Sequence, residues 1–182
     1  MVGTANASTK VYDVVTIEDR LALIARQVDA SAKDEYIYKL ATEIVSAAPQ
    51  LPGAEGEKQE IAAVFWWVKN NIAYRQDPEG YDRYATARRT LEARAGDCDD
   101  HTILVCAILK NLGYKTGCKV VSPDGVNWHI YAVIAYPRNS PQGYVALDTT
   151  AYSDGPAWEP DMKFRKKEVK ADFHTGGGYE IK

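Results

Sequence analysis

Gly96-Asp97-Cys98-Asp99-Asp100-His101 runs straight into Thr102-Ile103-Leu104-Val105-Cys106-Ala107-Ile108-Leu109, and this junction decides the fold. Ile103, Leu104, Ala107, Ile108 and Leu112 recur at helical spacing, so a helix with a buried stripe begins beside Cys98. Gly113 is placed to cap its far end. A helix start carries unpaired backbone N–H groups and a partial positive charge. That field favours thiolate over thiol and makes Cys98 a candidate nucleophile. The bland alternative is an inert buried thiol, but Gly, three Asp and His make a poor wall for one. Asp97, Asp99, Asp100 and His101 also invite a metal reading. Capping and dipole complementarity account for the acids more simply, because hard-cation sites space their oxygens more widely, and no metal is assigned. Asp99 and Asp100 would oppose a thiolate. They are therefore expected to point away or to pair with Arg88, Arg89 or Arg94.

Working outward, the period changes after Gly113. Lys115–Val121 reads as a strand, Ser122–Gly125 as a turn, Trp128–Tyr136 as the clearest strand, and Tyr144–Asp148 as another. His129 and Asp148 lie 19 residues apart (148 − 129) on two strands joined by a loop near Ser140. Folding that hairpin brings them close together. Cys98, His129 and Asp148 then supply the nucleophile, the base and the group that fixes the base's tautomer for thiol-based acyl transfer. His129, Tyr131, Val133 and Ala135 share one strand face, and packing that face on the Cys98 helix is expected to complete the set. The Cys98 backbone N–H is a natural oxyanion donor. Tyr81, Tyr84 and Trp67 are upstream candidates for a second donor or for substrate contact. Trp128 either shields the pair from water or simply packs.

Upstream, Thr16 and Asp19 form an acidic capping box for a helix through Leu21, Leu23, Ile24 and Val28. A second helix is expected over Lys33–Ala48, with Tyr36, Leu40, Ile44 and Val45 inward. A third spans Glu57–Asn71, with Ile61, Val64, Phe65 and Val68 inward. Trp66 and Trp67 are adjacent, so both cannot face the core. Residues 81–92 form an irregular or short helical approach to Cys98. The expected organisation is a disordered stretch over 1–15, one domain over 16–158, and a C-terminal extension over 159–182 that wraps the surface.

The bulk numbers set limits. A chain of 182 residues can bury one sizeable core. A net charge of −3 argues against nucleic acid as partner, and no apolar run approaches a bilayer span. The first residues lack a charged start followed by an apolar stretch, so no secretory signal is expected. Cys98, Cys106 and Cys118 are odd in number and fit no metal knuckle. The reading is a reducing, cytoplasmic setting with one reactive thiol and two packing thiols.

Residues 57–150 resemble the transglutaminase-like superfamily, a branch of the papain-like cysteine enzymes. The resemblance rests on Phe65-Trp66-Trp67-Val68-Lys69-Asn70-Asn71-Ile72-Ala73-Tyr74 and on Arg89-Thr90-Leu91-Glu92 leading into Gly96-Asp97-Cys98-Asp99-Asp100. It continues through Leu109–Tyr114, Trp128-His129-Ile130-Tyr131-Ala132 and Ala146-Leu147-Asp148-Thr149-Thr150. It implies an α+β fold with the cysteine helix packed on an antiparallel sheet, Cys98 as nucleophile, His129 as base, Asp148 as its orienter, and no cofactor. Small bacterial, archaeal and phage-encoded members exist, so a phage or virion setting is a further expectation. The additional domains of the large calcium-activated enzymes are absent, so calcium is not carried over. Three functions stay open. The first is a cysteine peptidase or amidase acting on a peptide or protein. The second is a transglutaminase transferring a glutaminyl acyl group to an amine. The third is a non-catalytic binding or phage structural module.

Overall fold

The computed structural model describes residues 16–49, 55–78, 83–122, 126–150, 155–158, 167–174 and 177–181. The expectation of disorder over 1–15, the turn over 123–125 and the candidate Tyr81 lie outside them.

Three helices come first: α1 (Ile17–Ala32), α2 (Glu35–Ala47) and α3 (Glu57–Asn71). Thr16 caps α1 through a reciprocal capping box with Asp19. Leu21, Leu23, Ile24 and Val28 are buried, as their spacing requires. In α2 the inward set is Ile37, Leu40, Ala41 and Ile44. Tyr36 was expected inside and instead lies outside, with the Arg88 guanidinium 5.2 Å from its ring centroid. The helix begins at Glu35, capped by Asp34, and Ile37 fills the first inward position. In α3, Ile61, Val64, Phe65 and Val68 are buried, while Trp66 is exposed and Trp67 packs against the core from its rim.

Short strands β1 (Ala73–Tyr74) and β2 (Ala95–Gly96) pair in parallel around α4 (Ala87–Ala93). They deliver the chain to α5 (Cys98–Asn111), whose residues from Asp99 to Leu109 are all buried. A helix apolar nearly all round belongs at the centre of a fold. Each of Ile103, Leu104 and Ile108, fully buried, stabilises by roughly 1.5–3 kcal/mol. Gly113 follows with φ +86°, the left-handed conformation that ends the helix.

The α+β architecture is completed by a six-stranded sheet in the order β6-β5-β4-β3-β7-β8, with each neighbouring pair antiparallel. Its strands are β3 (Thr116–Ser122), β4 (His129–Tyr136), β5 (Gly143–Leu147), β6 (Ala157–Trp158), β7 (Lys167–Phe173) and β8 (Tyr179–Ile181). Two expectations are corrected here. The β4 face packed with α5 in the main core carries Ile130, Ala132 and Ile134; Tyr131 and Val133 belong to a second cluster with Val121 and Ala146. The C-terminal segment was expected to wrap the surface. Instead β7 pairs along β3, and Ala171 is fully buried. Gly117 permits the close approach, because a Cβ there would run into the Ala171 carbonyl oxygen.

Candidate active site

The start of α5 and the start of β4 meet at one cleft of about 560 Å³, lined by Cys98, Asp97, Asp99, Trp128, His129 and Ile130, with α1 residues Thr16, Ile17 and Arg20 on its rim. Asp97 is the N-cap of α5. Its carboxylate accepts the backbone N–H groups of Asp99 and Asp100 at 3.3 and 3.5 Å. The cap sets Cys98 as the first helical residue. The Ile130 backbone N–H reaches the Cys98 sulfur and favours its anion, as does the Cys98 N–H itself. Sequence reasoning missed Ile130, since a backbone donor leaves no residue-type signature.

His129 is the first residue of β4. Its Nε2 lies 2.7 Å from Asp148 Oδ2. That pairing leaves Nδ1 as the ring nitrogen for a second partner. The other oxygen of Asp148, Oδ1, accepts the Thr150 N–H at 3.1 Å and the Thr150 hydroxyl at 2.6 Å. The first of these is an Asx turn, the arrangement an Asp adopts two residues ahead of a backbone donor, and Asp148-Thr149-Thr150 carries that signal. Burial raises the Asp148 carboxyl, but His129 and Thr150 outweigh it and hold Asp148 below its ordinary value of 3.8. Asp148 therefore stands ionised beside the imidazole.

The electrostatics at sulfur run against expectation. Burial, then the Asp99 and Asp97 carboxylates, push the Cys98 thiol up to about 12. The backbone donors at the helix start favour the anion, but burial and the two carboxylates outweigh them. Of the arginines named as alternatives to the acids pointing away, Arg88 and Arg89 are found with other carboxylates. Arg88 pairs with Asp34 at 3.1 Å, and Arg89 lies 3.9 Å from Glu92. Asp100 instead accepts the Ala85 N–H at 2.8 Å, and burial raises it to about 7.

Asp97, Asp99 and Asp100 place one carboxylate oxygen each within 4.8 Å of one another, the group among the described residues whose donors could hold a cation. Tyr84 and Trp128 line the cleft. Trp128 is half exposed beside His129, and Tyr84 packs against the core. Trp67 is not brought there; it lines a separate groove between α2 and α3 with Trp66 and Tyr36. Cys106 and Cys118 are fully buried free thiols, and Cys106 donates to the Gly117 carbonyl at 3.2 Å. Among the described residues, no helix is long and apolar enough to cross a membrane.

Comparison with known proteins gives the same picture. Residues 45–149 match the family model of the transglutaminase-like superfamily. No curated protein matches the sequence. Among solved structures, LapG of Legionella pneumophila is similar at 14% identity with a TM-score of 0.59, covering 86% of each chain. Its EGTA-treated form gives 14% and 0.60, covering 87% of this chain and 85% of that one. A Parabacteroides distasonis structure provisionally assigned as a protease is 11% identical with a TM-score of 0.53, covering 70% of this chain. This chain spans 26% of that protein, about a quarter of its length. At these identities the likeness is one of fold.

Proposed function

Because this chain belongs to the transglutaminase-like superfamily, we propose that it is a cysteine hydrolase that cleaves a peptide or amide bond through Cys98, His129 and Asp148. The observation that carries the reading is the 2.7 Å contact between His129 Nε2 and Asp148 Oδ2, with His129 and Cys98 lining one cleft. In this reading the Cys98 sulfur attacks the carbonyl carbon as its proton passes to His129 Nδ1. The new oxyanion is met by the Cys98 N–H. His129 then protonates the departing amine, leaving a thioacyl group on Cys98. Water, deprotonated by His129, attacks that group and releases the acid and the thiol. Asp148 holds the ring and offsets the imidazolium charge throughout.

The raised thiol fits this order of events. In this reading sulfur starts as the thiol and gives up its proton to His129 as it attacks, rather than before.

Hydrolysis is favoured over amine transfer by the cleft itself. Exposed Thr16, Arg20, Tyr74 and Gln76 line it, so water has access. The test is incubation of a glutaminyl peptide with the protein, with and without a primary amine, against a Cys98→Ala control. Release of free acid or shorter peptides that depends on Cys98 supports the proposal. Amine adduct in excess of hydrolysis identifies a transglutaminase. No Cys98-dependent product from a broad peptide set points to a non-catalytic module.

A further inference from the structure

One buried histidine stands apart from the proposed chemistry. His101 lies one helical turn past Cys98, is 2% exposed, and places Nδ1 2.9 Å from the Thr149 hydroxyl. Thr149 follows Asp148 directly. The turn it sits in is held from three sides. His129 of β4 binds Asp148 Oδ2, Lys69 of α3 donates to the Thr150 carbonyl at 2.9 Å, and His101 of α5 binds Thr149. Of these, the His101 bond is the one that joins the helix bearing the nucleophile to the turn bearing the acid.

We infer that the His101–Thr149 hydrogen bond positions the Cys98 sulfur against the His129–Asp148 pair, so that His101 and Thr149 are positioning residues of this site. The inference rests on the proposed Cys98–His129 chemistry. The geometry gives the reason. Cys98 is the first residue of α5, held by the Asp97 cap and the Ile130 N–H, while His129 and Asp148 belong to the sheet side of the cleft. Packing of α5 on Ile130, Ala132 and Ile134 sets the spacing of helix and sheet, and the Ile130 N–H ties the sulfur to β4, but neither ties α5 to the turn that carries Asp148. The His101–Thr149 bond, one turn from the sulfur and one residue from the acid, supplies that tie with a fixed direction. Burial suits His101 to this. It keeps the ring neutral, and Thr149 can donate to or accept from Nδ1 without a charge entering the core.

The test is the second-order rate of Cys98 alkylation by iodoacetamide at neutral pH, with Cys98→Ala as background and thermal melting as a check on folding. Wild type and His129→Ala are compared first. Equal rates there would sink the Cys98–His129 reading and this inference with it, without reference to Thr149. If wild type is faster, Thr149→Val and His101→Leu are each expected to slow alkylation by roughly tenfold to a hundredfold. The double variant should be no slower than either single one, and Thr149→Ser, which keeps the hydroxyl, should stay near the wild-type rate. A wild-type rate for His101→Leu, whatever Thr149→Val does to folding, overturns the inference while leaving the catalytic reading intact. So does Thr149→Ser slowed as much as Thr149→Val.

Discussion

Asp148 and His129 are joined by a single short hydrogen bond, 2.7 Å from Oδ2 to Nε2, across the open end of the β4–β5 hairpin. The two are offset rather than opposed. The register pairs Ala132 with Leu147, and continuing it sets Asp148 opposite Tyr131, two residues along the same face from His129. The Asx turn to Thr150 lets the carboxylate reach diagonally. Replacing Asp148 with Asn keeps the shape and removes the charge that fixes the tautomer and supports an imidazolium. Asp148→Asn is expected to lower kcat by about two to four orders of magnitude with little change in KM, measured by steady-state hydrolysis of a peptide substrate.

Asp97 does two things with opposite sign. As N-cap it holds α5, and as a carboxylate near sulfur it raises the thiol. Asp97→Asn keeps a capping oxygen and drops the charge, so the alkaline limb of Cys98 reactivity should move to lower pH with little loss of stability. Asp97→Ala should shift the limb the same way and also cost about 1 kcal/mol of stability. Alkylation profiles paired with urea unfolding check both.

The pH dependence of stability has two opposed contributors. Burial raises Asp100 from 3.8 to about 7, so its folded-state preference for the proton favours the fold at low pH and is lost as pH rises between those values. Burial lowers His101 from 6.5 to about 4, despite the Ala73 backbone and Asp148, which favour its protonated form. Its contribution is complete above 6.5 and is lost as pH falls toward 4. Asp148, held below 3.8, adds a further loss at still lower pH. Between pH 4 and 6.5 the first two offset each other. Asp100→Asn should uncover the histidine, so that stability falls by on the order of 3 kcal/mol from pH 6.5 to 4. His101→Leu should reverse the slope. Chemical denaturation at stepped pH measures both.

Gly117 tests whether β7 belongs to the sheet. A methyl group there meets the Ala171 carbonyl oxygen, part of the backbone and unable to step aside alone. Gly117→Ala is therefore expected to destabilise the fold by about 1–3 kcal/mol, read by thermal melting. An unchanged melting temperature would contradict the observed pairing of β3 and β7.

Much of this molecule was legible before any coordinates. The 3.6-residue pattern located α3 and the buried stripe of α5, and Thr16 with Asp19 marked where α1 begins. Which face of β4 meets α5 was not legible, for a physical reason. All six residues from Ile130 to Ala135 are buried, because the strand is covered on both sides, so alternation carried no direction. Strand β7 was illegible because its place depends on a non-local partner, β3, far back in the chain. At the site, residue type and order were enough to single out Cys98, His129 and Asp148 as candidates, of which Cys98 and His129 line one cleft and His129 contacts Asp148. The rise in the Cys98 thiol could not, because it comes from burial and from two carboxylates that the cap holds near sulfur.

The most direct measurement of the central claim is the pH profile of Cys98 alkylation in wild type and in His129→Ala. Burial and the Asp99 and Asp97 carboxylates push the Cys98 thiol up to about 12, so in this account reactivity at neutral pH draws on proton exchange with the imidazole. The prediction is a wild-type profile with a limb at or below neutral pH, and an His129→Ala profile that loses that limb and rises only in strong alkali. Superimposable profiles, both rising only in strong alkali, would contradict it.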